Sequence, residues 1–395
     1  MAETTVKTKA GRRLGLLPRV LIAIALGIAL GLVMPGWFVR IFLTFNAIFS
    51  QLLGFLIPLI ILGLVTAAIG DIGRSAGKML LVTVAIAYFD TALAAGLGYG
   101  VGEALFPSLV SKAGTADIAA TEAGLEPYFT INIPSMMDVM TALVFSFIFG
   151  LCIAHMALPV MKGFFSEFRS AIAKTIEKLI IPLLPLYIFG IFLEMTCSGK
   201  VFPVLKVFAM IILVIFALHI LILLYEFCIA GAIARKNPLK LLGGMLPAYF
   251  TALGTSSSAA TIPVTLKQTV ANGVREEVAG FTVPLCATIH MSGSAMKITC
   301  CALAVCLMNG MPHSFPMFLE FILMLGIMMV AAPGVPGGAI MAALAPLSSI
   351  LGFDAEAQAL MIALYIAMDS FGTACNVTGD GAISLIIDRL FAHKP

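Results

Sequence analysis

Apolar residues run along this chain in long blocks joined by short polar connections. Eight blocks reach the length needed to cross a bilayer, about 20 residues of helix: residues 14–34, 42–68, 79–106, 136–161, 172–197, 201–233, 278–308 and 355–391. Several exceed that length, which predicts helices that tilt or are buried in protein. Two further apolar segments are broken near the middle. Residues 241–268 contain "TSSSAATIPVT" and residues 317–351 contain "APGVPGGA". Proline and glycine clusters stop helices. Each segment therefore predicts a helix, a break and a second helix that returns to the same side, a re-entrant hairpin. Backbone and hydroxyl groups left unpaired in hydrocarbon are costly. Three consecutive serines at that depth predict water or a polar ligand beside them.

Composition agrees with a membrane-embedded chain. Of 395 residues, 61% are hydrophobic and 11% charged, against roughly 25% charged in a soluble domain. A net charge of +3 is too small to suggest nucleic acid as a partner. No cleavable leader is visible in the polar, basic residues 1–13. The eight cysteines lie almost entirely in apolar blocks and show no metal-binding spacing. With both hairpins re-entrant, Arg12, Arg13, Arg19, Arg74, Lys78, the 162–178 cations, Arg235, Lys236, Lys240, Lys267, Arg275, Arg389 and Lys394 fall on one side. The opposite loops hold Lys112 beside Asp117, Glu122 and Glu126, and Lys200. That asymmetry predicts both termini on the cytoplasmic side of the inner or plasma membrane. Eight spans plus two hairpins opening from opposite faces is the arrangement of inverted repeats in transporters.

Polar positions inside the apolar blocks carry the candidate chemistry. In the last block Asp369, Thr373, Asn376 and Asp380 follow an i, i+4, i+7, i+11 spacing and share a helix face about 60° wide. In the block 278–308, His290, Ser294 and Lys297 share a face by the same count. Acids and ammonium groups inside a membrane are expensive and point to function. Asp90 has no local partner, so an Asp90–Lys297 ion pair is expected. Glu194 and Glu226 belong to no motif and read as helix contacts or interface residues. Broken helices present N–H ends that suit a carboxylate and carbonyl ends that suit a cation, so the serine run reads as the lip of a small-molecule site.

Four ordered segments, "GTSSSAATIPVT", "PLCATIHMSGSA", "APGVPGGAIM" and "DSFGTACNVTGD", resemble the dicarboxylate/amino acid:cation symporters, which include the glutamate and neutral amino acid transporters. The resemblance spans nearly the whole chain. It implies an all-α integral membrane homotrimer. Residues 1–78 and 130–199 (spans 1, 2, 4 and 5) would form a static scaffold. Residues 79–110 and 200–395 (span 3, span 6, both hairpins, spans 7 and 8) would form a transport domain that moves like an elevator. By motif position, Ser257 and Ser258 would meet the substrate α-carboxylate and Asp369 the α-ammonium, with Gly372, Thr373 and Asn376 completing the pocket and residues Val335 to Gly338 closing over it. One sodium would lie between Asn376, Asp380 and the segment holding Cys286 and His290. A second would use Thr288, Met291 and hairpin 2 carbonyls.

Three positions depart from the family pattern. Gly372 stands where members that carry acidic substrates have arginine. His290-Met291-Ser292 stands where Asn-Met-Asp is usual, and Lys297 replaces a common tyrosine. The expected function is symport of a small neutral amino acid, such as serine, threonine or alanine, with sodium. An acidic amino acid or dicarboxylate received by Lys297, or proton coupling through His290 or Asp90, are the alternatives within the class. A channel, or an intramembrane hydrolase built on Ser257, His290 and an aspartate, are the alternatives outside it.

Overall fold

The computed structural model describes residues 15–71, 78–112, 125–199, 201–332 and 336–391. Val335 and the loop charges expected at 12, 13, 74, 117, 122, 200 and 394 lie outside them. The described residues contain no strand and fifteen α-helices: α1 (Leu16–Gly31), α2 (Gly36–Asp71), α3 (Lys78–Lys112), α4 (Val139–His155), α5 (Pro159–Thr175), α6 (Ile181–Cys197), α7 (Val201–Ala234), α8 (Pro238–Thr255), α9 (Ser258–Ala271), α10 (Glu276–Ile289), α11 (Ser292–Met308), α12 (Phe315–Ala331), α13 (Gly338–Ser349), α14 (Ala355–Ala367) and α15 (Asp369–Leu390). Five helical runs are long and apolar enough to cross a bilayer, and α14 with α15, bent by 63°, makes a sixth. The first and fourth expected spans correspond to α1 and α4, shorter apolar helices. The protein is thus an all-helical, multi-pass membrane protein.

Three of the expected blocks differ in shape. The fifth begins earlier, because a five-residue π-helical segment, Ile176–Ile180, joins α5 to α6 into one run from Pro159 to Cys197. Lys162, Arg169, Lys174 and Lys178 therefore sit on helix rather than in a loop. The block 278–308 is broken where His290 (φ −103, ψ 112) and Met291 (φ −136, ψ 46) leave helical geometry. The block 355–391 is broken at Met368 (φ −120, ψ 13). Apolar length alone conceals such breaks, although Ser292 and Gly293 beside the first one already predict a loosened helix.

The serine run is a helix stop and a helix start. Ser256 ends α8 in the left-handed region at φ 50. Ser257 is extended and caps α9, its hydroxyl accepting the Ala260 N–H at 3.3 Å. Serine suits that position because its oxygen satisfies one of the orphan donors of the first turn. The arms α8 and α9 pack on each other, as do α12 and α13. Gly337, at φ 75, leads into α13, a backbone conformation that glycine adopts without strain.

Small residues set the closest helix contacts. Gly27 and Gly31 of α1 face α6; a Cβ on Gly31 would lie 2.6 Å from Thr196 Cβ and 2.8 Å from the Leu193 carbonyl. Gly98 and Gly102 of α3 face Met296, Cys300 and Leu303 of α11 in the same way. Both pairs follow the small-xxx-small spacing that lets helix backbones approach in lipid. α11 lies at the centre of the molecule, with Lys297 and nearly every neighbour buried. Outward faces of α1 and α7 expose Leu21, Ile22, Leu213 and Ile220, as lipid contact requires.

We expect Gly31→Ala to force α1 away from α6 and to cost about 1–3 kcal/mol, as overpacking does. Gly100→Ala, at a site with nothing within 4 Å, should be neutral or slightly stabilising. Melting midpoints of the two purified variants check this; equal midpoints would contradict the packing account.

Candidate functional site

The two broken helices and the two hairpin tips converge on the start of α15. Asp369 occupies the first turn of that helix, where exposed N–H groups favour an anion. It is 6% exposed. Its Oδ2 accepts the backbone N–H of Gly337, at the tip of the second hairpin, at 2.9 Å. From the first hairpin, Ser256 Oγ lies 2.8 Å from Ser370 Oγ. Both tips thus touch the same helical turn from different segments of the chain.

Lys297 stands beside this carboxylate. Its Nζ lies 4.0 Å from Asp369 Oδ1, donates to the carbonyls of Met368 (3.1 Å) and Tyr365 (3.4 Å) and sits 3.5 Å from the Tyr365 ring centroid. The broken end of α14 exposes those carbonyls, and an ammonium there meets the negative end of the helix dipole. Ser294, one turn before Lys297, receives hydrogen bonds from Tyr365 Oη (3.2 Å) and Asn376 Nδ2 (3.0 Å), while its own N–H donates to Asn376 Oδ1 at 3.2 Å. Asn376 is thereby locked in both position and amide orientation.

A second buried cluster lies further along α15. The His290 ring bridges two acids: Nδ1 is 2.9 Å from Asp380 Oδ1 and Nε2 is 2.9 Å from Asp90 Oδ2. Tyr225 donates to Asp90 Oδ1 at 2.8 Å. Ser292 donates to Glu226 Oε1 at 2.9 Å, and that oxygen is 3.9 Å from His290 Nε2. Thr91 Oγ1 accepts the Met291 N–H released by the helix break, at 3.2 Å. His290 can leave helical geometry because its freed neighbours find these partners.

The expected residues are therefore distributed as follows. Asp369, Asn376 and Asp380 keep their shared face on α15 and all point at the α10–α11 element. Thr373 donates to its own helix through the Asp369 carbonyl. Ser258 and Gly338 are buried in the first turns of α9 and α13. Cys286 is buried in α10, whereas Thr288 is exposed and lines a cavity of about 490 Å³ with Ala332 of the second hairpin. Gly372 lies against Lys297: a Cβ there would be 3.0 Å from Nζ.

Two expectations are corrected. Asp90 pairs with His290 and Tyr225, and Lys297 instead faces Asp369. His290 does not share a helix face with Ser294 and Lys297, because the helix breaks at His290 itself. Three participants escaped the sequence reading. Glu226 is 4% exposed in the most apolar helical run, and an acid in such a setting is itself a functional pointer. Tyr225 and Tyr365 carry no comparable sequence mark, whereas Gly337 lies within the expected 335–338 closure.

A family model described as "Sodium:dicarboxylate symporter family" matches residues 16–390. An excitatory amino acid transporter 1 of Ambystoma tigrinum is 30% identical over 273 residues, 67% of this chain and 50% of that protein. An excitatory amino acid transporter 3 of Oryctolagus cuniculus is 30% identical over 261 residues, covering 64% and 49%. An excitatory amino acid transporter of Caenorhabditis elegans is 29% identical over 286 residues, covering 69% and 56%. The chain spans about half the length of the curated relatives it matches.

Breaking a buried pair by removing one partner costs roughly 3–5 kcal/mol, whereas removing both charges is often harmless. Lys297→Met should therefore lower the melting midpoint sharply. Adding Asp369→Asn should restore most of it, and adding Asp90→Asn should not. Rescue by Asp90→Asn instead would contradict the pairing described above.

Proposed function

The chain belongs to the sodium:dicarboxylate symporter family, and from that premise we propose that it is a secondary active symporter for a small neutral amino acid, driven by sodium. The observation that carries this reading is Asp369, a buried carboxylate under the second hairpin tip. Lys297 Nζ stands off at 4.0 Å from Oδ1 and the Gly337 N–H on Oδ2 is a neutral donor, which a substrate ammonium replaces with a stronger charge-assisted bond. Opening of the second hairpin admits the substrate, and the ammonium takes Asp369. Asn376 and Thr373 line the pocket. The α-carboxylate meets Ser257 and Ser258, where α9 begins and offers its unpaired N–H groups.

Gly372 favours a small neutral side chain. An arginine there would crowd Lys297, which already spends two of its three donors on Tyr365 and Met368. A second reading is supported by the same neighbours: the Lys297 ammonium lies against Gly372, so a carboxylate entering beyond Gly372 would find a cation. An acidic amino acid or dicarboxylate is the substrate in that reading. Sodium enters through Thr288, Met291 and carbonyls of the second hairpin in this reading.

Most helix contacts fall within one of two groups, a static and a moving part, with α12, α13 and α14 also touching α1, α2 and α6. α1 packs on α6, and α2 on α4, α5 and α6; α3 packs on α11, and α15 on α7, α8, α9 and α10. The first group is the scaffold of a homotrimer, and the second travels as an elevator. His290 has both ring nitrogens on carboxylates and so is not available as a base for Ser257. That argues against a hydrolase.

Uptake of labelled amino acids into proteoliposomes, with sodium and pH gradients set separately, tests the reading. Alanine, serine or threonine should accumulate under a sodium gradient, while aspartate and succinate should compete weakly. Failure of every amino acid to accumulate would contradict it, and preference for aspartate would move the conclusion to the second reading. Asp369→Asn should lose about ten- to a hundredfold in substrate affinity, the worth of one charge-assisted hydrogen bond. Unchanged affinity in the folded variant would remove Asp369 from the pocket.

A further inference from the structure

Polar side chains also meet well away from α15, where α3 packs beside the connection between α11 and α12. Glu103 belongs to α3, and His313 stands two residues before α12, the first arm of the second hairpin. The two share an open cavity of about 570 Å³ whose described lining contains no lysine or arginine.

The contacts of His313 fix its tautomer. Nδ1 lies 3.0 Å from the Met311 carbonyl oxygen. A carbonyl only accepts, so Nδ1 carries the proton. In the neutral ring Nε2 is then a bare lone pair. It lies 4.0 Å from Glu103 Oε1, and an ionised carboxylate oxygen also only accepts. That oxygen is itself buried and has no hydrogen-bond donor among the described residues. Two acceptors therefore stand across a gap from each other.

The width of the gap selects what fits. A proton shared between nitrogen and oxygen needs about 2.7–3.2 Å, and the observed 4.0 Å exceeds that. Two zinc bonds, each about 2.0–2.1 Å, span about 4.1 Å in line and about 3.4 Å at the tetrahedral angle. The observed separation lies between these limits. The side chains of His313 and Glu103 are 38% and 34% exposed, so they can close the remaining difference. Calcium and magnesium instead take six or more oxygens and gain little from an imidazole. The histidine is also held ready. Tyr99 of α3 donates to the His313 carbonyl at 3.1 Å, and the Met311 carbonyl orients the ring, as partners of metal-bound histidines do.

We propose that Glu103 and His313 form a binding site for a divalent transition ion of the zinc class, with water filling its remaining positions. The bound ion fastens the start of α12, the base of the second hairpin, to α3. The inference stands without the symport reading, because neither residue belongs to the proposed substrate or sodium positions.

The test uses zinc chloride and the purified full chain, in buffer free of thiols and chelators. Zinc affinity measured by calorimetry should fall at least about tenfold in His313→Ala and in Glu103→Gln, each of which removes one ligand bond. His155→Ala alters an exposed histidine at the end of α4 and should bind zinc as the wild type does. Millimolar calcium or magnesium should not displace the zinc. Amide hydrogen exchange locates the site without any substitution: zinc should slow exchange in peptides covering residues 309–318 and leave those around the exposed Cys197 and Cys228 unchanged. Unaltered zinc affinity in either variant, displacement by millimolar calcium, or protection that falls elsewhere and not in 309–318 would overturn the proposal.

Discussion

Buried negative charge is the constraint on which this molecule depends. An ionised carboxylate moved from water to hydrocarbon is tolerated only with a positive partner and satisfied hydrogen bonds. Asp369 and Asp380 lie on one face of α15, and their partners come from one other element: Lys297 from α11 and His290 from the break before it. The rest of the polar interior follows. Ser294 orients Asn376, Tyr365 covers the Lys297 ammonium, and Tyr225 and Ser292 complete the shell around His290. An apolar helix pair would pack without this register; here the charges fix it.

Helix breaks make the charges possible. At His290 and Met368 the backbone leaves helical geometry, freeing N–H and carbonyl groups where side chains and ligands can use them. The Tyr365 and Met368 carbonyls take Lys297, the Met291 N–H goes to Thr91, and the Gly337 N–H goes to Asp369. Non-helical backbone at such depth is tolerated because it is buried in protein or lines a cavity. The glycines that bring α1 to α6 and α3 to α11 hold the surrounding helices close enough for these contacts to form.

Much of this was legible in the sequence. The interruptions at the serine run and at "APGVPGGA" mark hairpin tips because glycine, proline and serine stop helices by local chemistry, and the spacing of Asp369, Asn376 and Asp380 reads directly as one face. In the block 278–308 Ser292 and Gly293 signalled a looser helix just after the actual break, and the break inside the block 355–391 was not legible. The break residues, His290, Met291 and Met368, have no strong local preference, and the partners that stabilise the break lie far away in sequence, as Thr91 does for Met291. The choice of partner for Asp90 was hidden for the same reason. Two bases stood within seven residues of each other, and only the break at His290 decides which of them turns toward α3.

The proposed symport depends on Asp369 receiving a substrate ammonium. The most direct measurement is equilibrium binding of alanine and of lactate, its hydroxy analogue, to the purified chain in saturating sodium. Alanine should bind at least about tenfold more tightly, because only the amine makes the charge-assisted bond. Equal affinity, or a preference for lactate, would contradict it.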